Sequence, residues 1–205
     1  MKEHLMDGGT RRKMKSANNI SYNIFTTTGL ANYSSSTTAP YHSNNSFIIP
    51  SSLDDSLNND GRYNCINIAN WFLEKEPMTL DKLQMLCYYA YAWGWAKNHY
   101  KIAKTTFFAS NDGPMSKDIL DFFEPQKNNL IHPMPDYLTD FDNLTLELLE
   151  SVWETYGMLT GNALCALSEN EAPWKSAHIS DPTSNNEISL DLISQYYNTI
   201  ASKNG

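Results

Sequence analysis

The sequence predicts a mainly α-helical fold: a compact bundle of about six helices with at most a small two-stranded β piece, preceded by a disordered N-terminal segment. Three observations carry this reading. From Ile68 onward, apolar residues recur at three- and four-residue steps, the spacing that places them on one face of an α-helix. Small polar residues able to accept a hydrogen bond from a first-turn amide, namely Thr79, Ser116, Thr160 and Ser189, stand just ahead of those runs. By contrast, about half of residues 16–60 are Ser, Thr or Asn, with single scattered aromatics and no sustained period. Such a stretch buries too little apolar surface to offset an ordering cost of about 1 to 2 kcal/mol per residue. The boundary is therefore placed after residue 60, with a Ser/Thr/Asn-rich tail over 1–60 and a helical domain over 61–205.

Within the domain, Ile68 to Leu73 crowd a first helix with apolar groups, and Glu74 to Pro77 break it. Thr79 caps the next helix, Asp81 sits in its first turn, and Leu80, Leu83, Leu86, Cys87, Ala90 and Trp93 form its stripe. Lys97 to Lys104 read as a polar connection. Thr105 to Ala109 are β-prone and lead into an Asn111-Asp112-Gly113-Pro114 turn. Ser116 opens a third helix faced by Ile119, Leu120, Phe122 and Phe123 and stopped at Pro125, and Gln126 to Asp140 form a proline-bearing surface loop. From Asp142 the period returns through Leu146, Leu149, Val152, Trp153 and Tyr156, with Gly157 as the left-handed residue that ends the helix. Thr160 starts a shorter helix with Ala163, Leu164 and Leu167, and Ser189 to Ile200 a last one with Leu192, Ile193, Tyr196 and Tyr197.

Charge and composition narrow the function. The chain carries 15 Lys+Arg and 23 Asp+Glu; five of each precede residue 61, so the whole net charge of −8 falls on the helical domain. An acidic domain is poorly suited to nucleic acid, where affinity comes from neutralising phosphates, and better suited to a basic protein partner. The cluster Arg11, Arg12, Lys13 and Lys15 reads as a solvated arm. Without an apolar run of about 20 residues or a signal-type N-terminus, a cytoplasmic protein with no membrane partner is expected. Cys65, Cys87 and Cys165, widely spaced among aliphatic and aromatic neighbours, read as reduced core cysteines.

Chemistry-bearing patterns are sparse. The sequence has no Gly-rich phosphate loop, no Gly-x-Ser-x-Gly elbow and no His-Glu-x-x-His. The carboxylate pairs Asp118/Asp121 and Glu147/Glu150 have the spacing of ordinary solvated helix faces. The reading is of a non-enzymatic protein with no cofactor and no metal. Glu169 and Glu171 precede Pro173-Trp174 in what reads as a loop, with Trp174 in the core and the acids in water. Tyr88, Tyr89, Tyr91, Trp93 and Trp95 point around the second helix, so that helix is either central or presents rings to a partner. If a ring of this helix does face outward, Tyr91 or Trp95, off the Leu83-Leu86-Ala90 stripe, is the one expected.

The pieces Ile68–Leu73 (Ile-Ala-Asn-aromatic-Phe-Leu), Leu80–Ala90 (Leu-x-Lys-Leu-Gln-x-Leu-x-Tyr-Tyr-Ala), Gly94-Trp95, Gly113-Pro114, Val152–Gly157 and Glu171-Ala172-Pro173-Trp174 occur in an order that resembles the Panacea domain family. This family comprises SocA-like and phage-associated GepA-like proteins that serve as antitoxins. The resemblance spans roughly residues 63–197 and implies a mostly helical fold and a protein-binding role. The expected partner is a cognate toxin, neutralised by direct occlusion or handed to a cytoplasmic AAA+ protease; the alternative is a phage or mobile-element assembly protein. The chain departs from the family pattern at Ser110, where a Trp is usual, and at Ser168-Glu169, where Thr-His is usual. The candidate partner-binding residues are Tyr91, Trp95, Asp112, Gly113, Pro114, Glu169, Glu171 and Trp174.

Overall fold

The computed structural model describes residues 61–180 and 186–203; the tail expected over 1–60 lies outside them. A two-residue strand β1 (Tyr63–Asn64) leads into α1 (Cys65–Lys75), which Asn64 caps by accepting from the Ile66 amide. After the Glu76–Pro77 break comes α2 (Leu80–Asn98), with Thr79 as its cap and His99 closing it in the left-handed conformation (φ 52°). Short strands β2 (Ala103–Lys104), β3 (Phe107–Ser110) and β4 (Gly113–Ser116) follow, and Ser116 caps α3 (Lys117–Phe123). The loop beyond α3 is tied down by a backbone pair between Met78 and Ile131 and by the Asn70 side chain, which accepts from the Met134 amide at 2.7 Å. Then come α4 (Asn143–Tyr156), α5 (Gly161–Glu169), α6 (Ala172–Ser180), β5 (Asn186–Glu187) and α7 (Leu190–Lys203).

The mainly α expectation holds, with seven α-helices among the described residues. The additional helix is α6, expected as loop: Pro173 falls in its first turn, where the missing amide proton costs nothing. The β content also exceeds the two-stranded piece expected near Phe107. β3 pairs antiparallel with β4 and, on its other edge, with β5, while β1 and β2 form a separate parallel pair.

α2 organises the rest. Leu83, Leu86, Tyr88, Tyr89, Ala90, Ala92 and Trp93 are buried around its whole circumference, and α1, α4, α5, α7 and β4 pack on it. A helix with no polar face is stable in water only when surrounded. The central-helix reading of its aromatics is therefore the correct one. Tyr89 stacks on Tyr156 of α4 (3.9 Å between ring centres), and Trp93 meets Tyr197 of α7 edge-on (4.8 Å). No helix among the described residues is long and apolar enough to cross a membrane.

Gly157 ends α4 but not as the left-handed residue expected from the sequence: its φ and ψ are −58° and −30°. Glycine is required for a steric reason, since a Cβ there would lie 2.5 Å from the Trp153 carbonyl oxygen and 2.7 Å from its ring. Replacing Gly157 by Ala should therefore cost about 1 to 3 kcal/mol in urea unfolding. Met158→Ala, one residue on and 91% exposed, should stay within about 0.5 kcal/mol of wild type.

Candidate functional site

Between the first turns of α2 and the β3–β4 hairpin lies a cleft of about 380 Å³. Leu80, Met85, Met115 and Leu120 supply apolar surface, and Asp81 and Asp112 supply carboxylates. The local sequence fixes its walls. Gln84, on the buried side of α2, accepts from the Ser116 amide and donates to the Ser116 carbonyl, both at 3.0 Å, so the end of β4 is fastened to the helix. Gly113 turns the hairpin at φ +99°, and any Cβ there would approach Ser168 Oγ and the Met85 side chain at 3.3 to 3.4 Å. Ser110 Oγ donates to the Gly113 carbonyl at 2.8 Å, and the Ser110 carbonyl accepts from Trp174 Nε1 at 3.1 Å.

α5 closes one side. Gly161 fits against the first turn of α2, and Cys165, one turn on, is half-buried with Asp81, Glu169 and Asp112 close by. Burial first, then these three negative charges, push the Cys165 thiol up to about 11. It is a protonated, weakly nucleophilic thiol, and a sensor of how negative this corner is. Burial likewise raises Cys65 to about 11 and Cys87 well above the usual range. All three cysteines are free thiols, but Cys165 sits beside the cleft and not in the core.

The structure does not bring all the candidate residues together. Asp112 and Pro114 line the cleft, Gly113 shapes it, and Glu169 stands on the adjoining turn of α5. Trp174 lies behind the hairpin, stacked on His178 at 4.3 Å. Tyr91 and Trp95 are elsewhere. Tyr91, one of the two rings named as outward candidates, is 2% exposed and lies 5.2 Å from the Phe107 ring; Trp95 is half-buried, edge-on to His99. Both sit at least seven residues beyond Gln84 on α2, roughly 10 to 17 Å along its axis. The sequence reading assigned no cleft role to Asp81, Gln84, Met85, Met115 or Cys165. Gln84 alone carried a signal, as an amide placed between Leu83 and Leu86 of the buried stripe.

Glu171, expected in water, is 1% exposed in the core. Its backbone carbonyl accepts the first hydrogen bond of α6 (from Lys175, 3.1 Å) while its side chain turns inward. Tyr197 of α7 donates to Glu171 Oε2 at 2.6 Å and Tyr89 of α2 to Oε1 at 3.4 Å, and Trp93 Nε1 donates to the Tyr156 hydroxyl at 3.2 Å. Burial raises the Glu171 carboxyl to about 8, against the opposing pull of the two tyrosine hydroxyls.

Between pH 4.5 and 8 this carboxyl is protonated in the folded protein and ionised in the unfolded chain. The folded state then binds the extra proton, so stability falls as pH rises through that window. Urea unfolding should lose on the order of 3 kcal/mol between pH 5 and 8 from this group. Glu171→Gln should remove most of that slope; an unchanged slope would assign it to other groups.

The match to a known family falls on this framework. Residues 83–175 match the family model described as Antitoxin SocA-like, Panacea domain. That stretch runs from the first turn of α2 through the hairpin to Trp174, and it holds most of the cleft together with Ser110 and Ser168-Glu169. Neither the curated proteins nor the solved structures contain a match to the chain. Order of motifs, helical architecture and family match point the same way: over residues 83–175 the chain is similar to the SocA-like antitoxin family with its Panacea domain.

Proposed function

We propose that this protein is an antitoxin that binds a cognate protein toxin encoded beside it and blocks it by direct occlusion, without catalysis of its own. The observation that carries the reading is the Panacea-domain match over residues 83–175. The local chemistry supports it. The most perturbed carboxyl, Glu171, is enclosed by tyrosines in the core and serves packing; substrate has no path to it. The accessible charged groups at the rim of the preformed cleft are carboxylates, Asp81 and Asp112, which suits recognition of a basic protein surface. An occluding antitoxin needs a dissociation constant in the nanomolar range, on the order of −10 kcal/mol or better.

Each open reading frame adjacent to this one is to be expressed with and without this protein. One neighbour should arrest growth alone, be tolerated in the presence of this chain, and co-purify with it as a stable complex. If no neighbour is toxic and the purified chain self-associates instead, it is an assembly protein. Rescue that depends on an intact AAA+ protease would replace occlusion by delivery to proteolysis.

A further inference from the structure

We propose that the cleft between α2 and the β3–β4 hairpin is where the domain grips its partner, and that its occupant is an arginine or lysine side chain on an extended segment of that partner. The inference rests on the antitoxin reading and adds the place and chemistry of the contact.

The cleft is amphipathic in a way that selects one kind of side chain. Leu80, Met85, Met115 and Leu120 offer apolar surface, while Asp81 and Asp112, both exposed, offer negative charge. A long basic side chain matches both parts: its hydrocarbon stem covers apolar surface and its cationic head stays at the wet, charged edge. An arginine adds a planar fork of donors suited to carboxylates. Among the described residues no Lys or Arg lines the cleft. Among the described residues the carboxylates of Asp81, Asp112 and Glu169 have no ion-pair partner, whereas Glu76, Glu150 and Asp142 are paired with Lys82, Lys75 and Arg62. Three uncompensated acids around Cys165 form a negative corner that an incoming cation neutralises.

Size and rigidity point the same way. At about 380 Å³ the cleft seats one or two side chains, not a helix about 10 Å across. Its walls are held before any partner arrives, by Gln84 on Ser116 and by Trp174 on Ser110. Little ordering free energy is therefore lost on binding. A second pocket, lined by Lys101, Lys104 and Lys117 with Asp118, has the opposite charge and provides an internal control.

The test uses the full chain with the toxin it neutralises. Asp81→Lys with Asp112→Lys should weaken binding by at least about tenfold and abolish growth rescue. Lys101→Glu with Lys117→Glu should leave affinity within about twofold. Equal affinity of wild type and the Asp81/Asp112 variant overturns the proposal while leaving the antitoxin reading intact. Should the double reversal lose its far-ultraviolet helical signal, Asp112→Asn in the exposed turn replaces it, with a loss of about threefold or more expected and no loss overturning the proposal. Should no neighbour prove toxic, the antitoxin reading falls on its own. The cleft is then decided by titrating the protein with the peptide acetyl-Leu-Arg-Leu-amide: shifts of the Met85 and Met115 methyl resonances that vanish in the charge-reversed protein uphold it, and their absence refutes it.

Discussion

The burial of α2 on every side is the constraint from which the architecture follows. A helix that carries Tyr88, Tyr89, Tyr91 and Trp93 on successive faces, all at or near zero exposure, has no surface to offer water from Leu83 to Gly94. Each face needs its own cover. α1, α4, α5 and α7 supply helical faces and β4 closes the remaining sector. Among the described residues the five short strands are too small to form an independent layer; β3 and β4 cover part of α2, while β1 and β2 pack on α1. The long polar loop after α3 is fixed to that shell through Met78–Ile131 and Asn70, so it adds cover with no more than short 3-10 turns at Glu124–Gln126 and Pro135–Tyr137.

Enclosing a helix so rich in hydroxyl and indole groups leaves polar atoms inside the core, and the fold pairs several of them across elements, although not the Tyr88 hydroxyl. The Trp93 indole meets the Tyr156 hydroxyl, and Tyr89 and Tyr197 both point at Glu171. No cation accompanies that carboxyl among its hydrogen-bond partners, so it is held neutral and acts as a hydrogen-bonding joint between α2, α6 and α7. Buried networks of this kind specify one arrangement of the helices more than they add stability.

What was legible in the sequence was what local chemistry determines. The caps Thr79, Ser116 and Thr160 stand where expected, because a short side-chain acceptor ahead of an apolar run has few other uses. The hairpin at Asn111–Gly113 and the central place of α2 were legible for similar reasons. Misreadings arose where distant neighbours decide. Glu171 reads as wet because nothing nearby in sequence reveals that Tyr89 and Tyr197 converge on it from 82 and 26 residues away. Tyr91 lies off the leucine stripe, but Phe107 covers it from another element. α6 was hidden by Pro173, and β5 by its two-residue length. Of the site, Asp112, Gly113 and Pro114 were found through the turn, whereas Asp81 and Met85 belong to it only because the hairpin folds back on α2.

The same short stretch that supplies the core joint also positions the cleft. Glu171 reaches inward to Tyr197, and three residues later Trp174 reaches the other way, donating its indole proton to the Ser110 carbonyl at the hairpin. Just before both, Ser168 touches Met85 and limits how close Gly113 can come. The hairpin is therefore held from behind by a segment whose own place is set by the core carboxyl. Geometry and charge at the cleft thus have separate sources. Glu171, Trp174 and Gln84 determine its shape, while Asp81, Asp112 and Glu169 determine its potential without being buried to do so. A surface organised in this way lets the rim residues change with the partner while the motifs that fix the scaffold stay as they are, because the substitutions that retune charge are not those that hold the helices together.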